Sequence, residues 1–522
     1  MDRQQVDMDN AAQAETTVKS EVPMKRRDFL NKSLLAAAVT IPGIRAAYAV
    51  AGSGEVADLT AVTGDGKEIT LKGVDIRDLA ARMRGRLLIA GDDGYDKARL
   101  VLNPSFDKHP ALIAQPTDAA DVEAAVSFAR ANNLLLAVKC GGHSASGQST
   151  CDRGMQIDLS GFRGVRIDPQ AKRVWVAGGT LLGQVDHESM AHGLVTPLGT
   201  VSHTGVGGLT LGGGFGRLAR RFGLAIDNVE SVDIVTADGQ LRHASATENQ
   251  DLFWAVRGGS GNFGVVTNFE FRLHPMQREV IAGEIAFPIA RARDLLRMWG
   301  DYAATAPDEL YMDPALVLPP GGAPGVALLE VCYSGPAGDA ERALAPIRKL
   351  GTPLSDGMKS KDYVAVQRAN DTGESRVIAS YLKGGFISKV PDKLVSTIVE
   401  GLPGDPNRTT ILFFQHGGGA VGRKAEGTTA FAQRDSIANM MAVVAWPQGS
   451  TDSAGHMQAA RKYWSTLEPF TRGFYVNDLS REVTAKEINA NYRGNYDRLV
   501  KIKKAYDPTN LFRLNANVQP PV

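Results

Sequence analysis

The stretch Val138-Lys139-Cys140-Gly141-Gly142-His143-Ser144-Ala145-Ser146-Gly147 decides how this chain is read. A strand delivers a loop with three glycines, a serine on each side of an alanine, and one histidine. Exposed backbone N–H groups in such a loop cradle an anion such as a pyrophosphate. Alone, the loop reads more readily as a turn with an incidental histidine. Upstream, Val122, Val126 and Ala129 recur at helical spacing between Thr117 and Asn133, with Thr117 or Asp118 as cap, and Leu134 to Val138 follows as a buried strand. Downstream, Met155 to Leu159 and Arg173 to Val176 read as short strands, with a helix from Gly179 towards His192.

Two further glycine loops change the weight of the first. Gly205 to Gly216 holds seven glycines in twelve residues around an apolar centre, and Gly258-Gly259-Ser260-Gly261-Asn262-Phe263-Gly264 precedes another strand. Glycine lets the backbone approach a ligand closely, which suits a planar ring and a diphosphate. Neither stretch is the Gly-x-Gly-x-x-Gly that opens a helix in a dinucleotide fold, and no Walker motif occurs, so a different nucleotide fold is implied.

The whole chain sets the remaining bounds. It has 522 residues, 43% of them apolar, with 58 basic against 57 acidic side chains, which describes a globular protein of two domains and argues against nucleic acid as a partner. Cys140, Cys151 and Cys332 match no zinc spacing and no disulfide framework, so metal catalysis is not expected. At the N-terminus, Lys25-Arg26-Arg27-Asp28-Phe29-Leu30 precedes the apolar run Ser33 to Ile44 and the small residues Ala47-Tyr48-Ala49. This reads as a twin-arginine export signal over residues 1–49, and it makes the protein periplasmic or secreted. The run is too short to span a bilayer and contains Pro42, so no stable membrane insertion is expected after cleavage. Twin-arginine export carries folded proteins, which suits a tightly held redox cofactor.

After Pro275 the texture changes. Helices at Arg291 to Ala304 and Ala340 to Leu350 alternate with the strand Val326 to Tyr333, as in a second domain. The tail from Tyr492 to Val500 again has helical spacing, up to Asp507-Pro508.

With these motifs in this order, together with Arg99 to Asn103, Pro110 to Asp118, Asp227-Asn228-Val229, Tyr475-Val476-Asn477 and Asp507 to Arg513, the chain resembles the berberine-bridge-enzyme-like FAD-linked oxidases of the vanillyl-alcohol-oxidase superfamily from about Ala98 onward. The resemblance implies an α+β fold. A PCMH-type FAD-binding domain is formed by residues 80–275 with a returning segment 471–522, and a substrate domain at 276–470 carries an antiparallel sheet covered by helices.

The resemblance also implies FAD bonded through its 8α position to His143, with Gly141, Gly142, Ser144, Ala145 and Gly147 beside the pyrophosphate. It places Gly205, Gly207, Gly208, Gly212, Gly213, Gly261, Val265 and Asn515 along the rest of the cofactor. Many relatives add a cysteinyl bond at a position that is Val201 here, so a single link is expected, and Cys140 stands in the wrong loop to replace it. Thr204 occupies the place where relatives set oxygen access to the flavin.

The implied reaction is hydride transfer from an alcohol, sugar, phenolic or cyclic amine to FAD, with O2 or another acceptor taking the electrons. The alternative, which the absence of a clear carboxylate base keeps open, is a flavoprotein that binds or sequesters a drug-like molecule. In many relatives a Tyr-x-Asn-Tyr motif faces the flavin; here it reads Tyr475-Val476-Asn477-Asp478, and Met441 stands where a polar strand residue is expected. Tyr475 and Asp478 are the candidate bases, with Asn477 beside them and Gln415 and His416 as groups that orient substrate.

Overall fold

The computed structural model describes residues 56–369, 371, 377–479 and 483–521; residues 1–49, read above as an export signal, lie outside the described residues. Three sheets organise the part that concerns function. In the first, the strands Arg86–Leu88, Leu112–Gln115, Met155–Asp158 and Leu136–Lys139 lie side by side, the last three parallel. Helix Ala119–Ala131 connects two of them, and the Asp118 carboxylate caps it by accepting from Asp121 N at 3.0 Å. Strand Leu136–Lys139 then delivers the His143 loop.

The second sheet is antiparallel, in the order Leu241–Ser245, Val229–Val235, Val265–Arg272, Arg173–Ala177, Val165–Asp168. Its strand Val265–Arg272 leaves the third glycine loop. Leu511 and Phe512 of the tail pack in one core with Leu136, Met155 and Val265, and Val518 N donates to Asn262 Oδ1 of that loop.

The third sheet is also antiparallel. Its strands Val326–Tyr333, Leu310–Leu318, Thr409–His416, Ala438–Pro447 and Ile378–Ile387 stand in that order, the last at the sheet's end. Successive side chains point to opposite faces. Leu310, Met312, Leu412, Phe414 and Met440 enter a core with Leu295, Leu296 and Trp299 of helix Ala292–Ala303 and Leu394 and Ile398 of helix Asp392–Gly401. Each such burial stabilises by about 1.5–3 kcal/mol. The intervening residues Asp313, Phe413, Gln415, Asn439 and Met441 share the other face.

Two sequence expectations need correction. The second glycine stretch is not loop throughout: Val206–Gly212 forms a short helix, ended by Gly213 and Gly214 at φ 141° and 88°. Glycines at 207, 208 and 212 keep this helix slim around Leu209 and Leu211, and a Cβ at Gly207 would already stand 3.0 Å from Gly178 O. The tail is two helices, Ala485–Tyr492 and Tyr496–Tyr506, separated at Arg493 by a φ of 50°. Tyr492 and Leu499 reach the same core from both sides of that break, which imitates one helical face in the sequence.

Candidate active site

The three glycine loops, one face of the third sheet and the segment around Tyr475 enclose a cavity of about 560 Å³, within the range of small-molecule sites. His143, Gly141, Gly142 and Ser144 line it, as do Gly205, Gly207, Gly208, Gly261, Val265 and Asn515. Gln415, Tyr475, Asn477 and Asp478 line it too, so residues 60 to 370 positions apart meet at one place.

Four sequence candidates stand elsewhere. Ala145 is not on the wall, and Gly147 serves packing, since a Cβ there would come 2.3 Å from the Phe106 ring. Gly212 lies under Asn477, where a Cβ would be 2.2 Å from its Oδ1, and Gly213 lies against Tyr475 and Phe431. Both seat the Tyr475 segment instead of facing the cavity.

The wall fits a flavin dinucleotide. A Cβ at Gly208 would meet no protein atom within 4 Å, and one at Gly261 would meet only Asn515 Nδ2 at 4.0 Å, so these glycines leave room on the cavity side. Ser149 Oγ and Asn515 Oδ1, both at the wall, are buried without a hydrogen-bond partner among the described residues, and such groups call for a ligand. Among the described residues no lysine or arginine lines the cavity, so backbone amides and hydroxyls would hold the diphosphate.

His143 Nε2 lies 2.7 Å from His203 Nδ1, and Thr204 Oγ1 lies 3.4 Å from His143 Nδ1. Burial, and then the neighbouring His203, push the His143 imidazole down to about 4, so it is neutral at pH 7. Val201 lines the cavity close by. Cys140 also reaches the wall, but its Sγ lies 3.1 Å from Gly178 O and burial pushes its thiol up to about 11, which leaves it protonated and inert.

Seated against the second glycine stretch, Tyr475 Oη accepts from Gly214 N and from Asn477 Nδ2, both at 2.8 Å, and Asn477 Nδ2 also donates to Leu209 O at 3.0 Å. Burial holds the Tyr475 phenol above its ordinary range, so it is a hydrogen-bond donor near neutral pH and not a base. Asp478 differs. Burial pushes its carboxyl up to about 7, against the opposing donation from Asn439 Nδ2 at 2.8 Å. The same Asn439 Nδ2 donates to Gln415 Oε1 at 3.1 Å.

Asn439 and His203 were not reached from the sequence. Asn439 did leave a trace as the single polar residue in the strand Ala438–Pro447, facing the cavity side two residues before Met441. His203 left none. His416, a candidate for orienting substrate, is corrected: it is fully buried behind the sheet, with Met312 N at 3.3 Å from Nδ1 and Ala303 O and Arg220 Nη1 each at 3.2 Å from Nε2.

The chain matches known proteins over most of its length. The family described as "FAD binding domain" matches residues 110–245, and "Berberine and berberine like" matches 475–519. An FAD-linked oxidoreductase of Dictyostelium discoideum is 31% identical over 415 residues, covering 79% of this chain and 89% of its own. (R)-6-hydroxynicotine oxidase of Paenarthrobacter nicotinovorans is 30% identical, covering 84% and 97%. The crystal structure of 6-hydroxy-D-nicotine oxidase from Arthrobacter nicotinovorans superposes with a TM-score of 0.77 at 28% identity, covering 84% and 98%. These relatives are oxidoreductases, which sets the sequestering alternative aside. The chain belongs to the berberine-bridge-enzyme-like family of FAD-linked oxidoreductases, with the PCMH-type fold of its members.

Proposed function

We propose that the protein is an exported oxidase or dehydrogenase that oxidises a hydroxylated or amine-bearing small molecule, with FAD joined once, through His143, and with Asp478 as the proton acceptor. The observation that carries this reading is the half-buried Asp478 carboxyl at the cavity wall, which accepts from Asn439 Nδ2 at 2.8 Å and which desolvation pushes up to about 7. Bound FAD supplies a hydride acceptor and passes the electrons to O2 or another acceptor. Asp478 takes the substrate O–H or N–H proton, which requires a group of matched pKa within hydrogen-bond reach. Gln415 and the Tyr475 hydroxyl offer donors that orient the substrate oxygen or nitrogen, and Asn477 fixes the Tyr475 hydroxyl between itself and Gly214. Phe413 gives the same wall an apolar surface. The similarity to 6-hydroxynicotine oxidase supports amines as one substrate class.

The test is rapid mixing with sugars, aromatic alcohols and cyclic amines while flavin absorbance is followed. Bleaching by one class is expected; a flavin that no class bleaches would refute the reading. For the cofactor, the peptide containing His143 should carry the mass of FAD, and His143→Ala should release its flavin on denaturation. FAD mass on another residue would refute the single link. The paired guanidinium groups of Arg26 and Arg27 would be read by the export receptor, so replacing both by Lys should retain the protein in the cytoplasm on fractionation.

A further inference from the structure

We infer, resting on the oxidase reading above, that the substrate is amphipathic. Its reacting hydroxyl or amine lies at Gln415 and Asp478, and an apolar body at least about 10 Å long lies along a strip of the third sheet that leads away from them.

The sheet face that carries Gln415 changes character in steps of two residues. The row that reaches Asp478 through Asn439 is polar: Glu330 stands opposite Asp313, whose carboxylate accepts from His416 N, and Gln415 stands opposite Asn439. Two residues along, Leu328, Ala315, Phe413 and Met441 stand opposite one another. Two residues further, Val326, Val317, Ile411, Val443 and Leu382 are in register across five strands. All five are half-buried, and none belongs to a hydrophobic core of the described residues. At about 3.3 Å per residue, Ile411 stands about 13 Å along the strand from Gln415.

The covering helices do not account for this strip. Helices Ala292–Ala303 and Asp392–Gly401 pack on the opposite face, where Leu412, Phe414 and Met440 point. Five aligned aliphatic side chains left partly open are more than scattered surface residues, and such a patch marks a binding surface. Its occupant follows from continuity: Phe413, one step before Ile411 on the same strand, lines the cavity together with Gln415. A molecule held by its polar end at Gln415 therefore extends over the strip.

The strip also selects against sugars. From Phe413 to Ile411, and across to Val443 and Leu382, the face offers no side-chain hydrogen-bonding group. Saccharide hydroxyls laid there would lose water without gaining a partner, whereas an alkyl or aryl body has no such bonds to lose.

The test uses the full-length flavoprotein and homologous series of small molecules. 4-Alkylbenzamides carry a polar head whose carbon bears no hydrogen to give up, so calorimetry reads their binding without turnover. 4-Alkylbenzyl alcohols and 4-alkylbenzylamines read oxidation, by flavin bleaching on rapid mixing. Amide affinity should rise about twofold to fourfold per methylene, and by about 50-fold or more from the unsubstituted to the hexyl member. Cellobiose should bind more weakly than the hexyl amide. Ile411→Asn should cut the hexyl-to-unsubstituted ratio by about tenfold. A wild-type series flat with chain length, cellobiose bound more tightly than the hexyl amide, or a folded Ile411→Asn variant with the full wild-type ratio would overturn the inference. So would a flat series in a chain that sediments as a dimer and that Ile411→Asn splits, because a second copy would then cover the strip. The wild-type series decides by itself if the variant does not fold. Chain-length-dependent amide binding without bleaching by any alcohol or amine would support the strip and overturn the oxidase reading instead.

Discussion

Gln415 and His416 are neighbours in the chain and occupy two different regions of the molecule. Gln415 faces the cavity, where it accepts from Asn439, whose own Oδ1 is buried without a hydrogen-bond partner among the described residues. His416 faces the core behind the sheet, 5.7 Å from the Trp299 ring, with Nδ1 accepting from Met312 N and Nε2 donating to Ala303 O. Both regions bury polar side chains. In the core region His416 has its bonding capacity taken up by the protein, whereas the cavity region keeps acceptors open. Buried polar groups with capacity left over mark the place where a ligand completes the set.

The largest effect that would break this contrast is expected at Asp478. Asp478→Asn keeps the bond geometry toward Asn439 but removes the proton acceptor, so flavin reduction by a bleaching substrate should slow by about 10²- to 10⁴-fold with FAD content unchanged. The same substitution should raise thermal stability at pH 8. The folded carboxyl titrates near 7, above its unfolded value of 3.8, so the folded state holds the proton more tightly and loses stability as pH rises between those values. Asn has no charge to form. A variant that reduced flavin at the wild-type rate would hand the role to another group.

A second pair of substitutions sets the two regions directly against each other. His416→Leu leaves Met312 N without its acceptor and removes the Nε2 donor to Ala303 O, and should lower stability by about 1–3 kcal/mol while flavin reduction stays within about twofold. Gln415→Leu should do the reverse, with unfolding barely moved and reduction slowed by about fivefold through the loss of one substrate hydrogen bond of about 1 kcal/mol. Thermal melts and single-turnover reduction on both variants check this; a slow His416 variant that folds normally would erase the distinction.

The contrast also marks where sequence reading stops. Glycine loops declare themselves because no other residue tolerates the close approaches they make, as at Gly205, where a Cβ would stand 2.3 Å from Cys140 Sγ. Period and capping placed Val326–Tyr333 and the helix after Asp118. Side-chain direction was harder. Gln415 and His416 differ by one register step, which swaps the faces of the sheet, and the Gln-His pair carries no sign of which one points inward. Gly212 and Gly213 matched a cofactor motif, yet they serve Asn477 and Tyr475, which lie more than 260 residues away in sequence. Asn439 and His203 depend wholly on such long-range meetings.

The smallest effect is the one that tests whether Asn439 joins the cavity set as a working member. Asn439 Nδ2 donates to Asp478 Oδ2 and thereby stabilises the ionised carboxylate, opposing the burial that raises it. The ionised form is the proton acceptor, so the rate of flavin reduction should rise with pH through about 7 and level off above it. Asn439→Leu removes the donor and adds apolar surface, and both changes disfavour the charge. The acid limb should then move to higher pH by up to about one unit, equivalent to about 1.4 kcal/mol, while the plateau rate at high pH changes little. A lost fold would depress the plateau, and a purely structural Asn439 would leave the limb where it was. An acid limb that moved to lower pH would show that the amide holds the carboxyl in its protonated form, and the proton-acceptor role of Asp478 would fall with it.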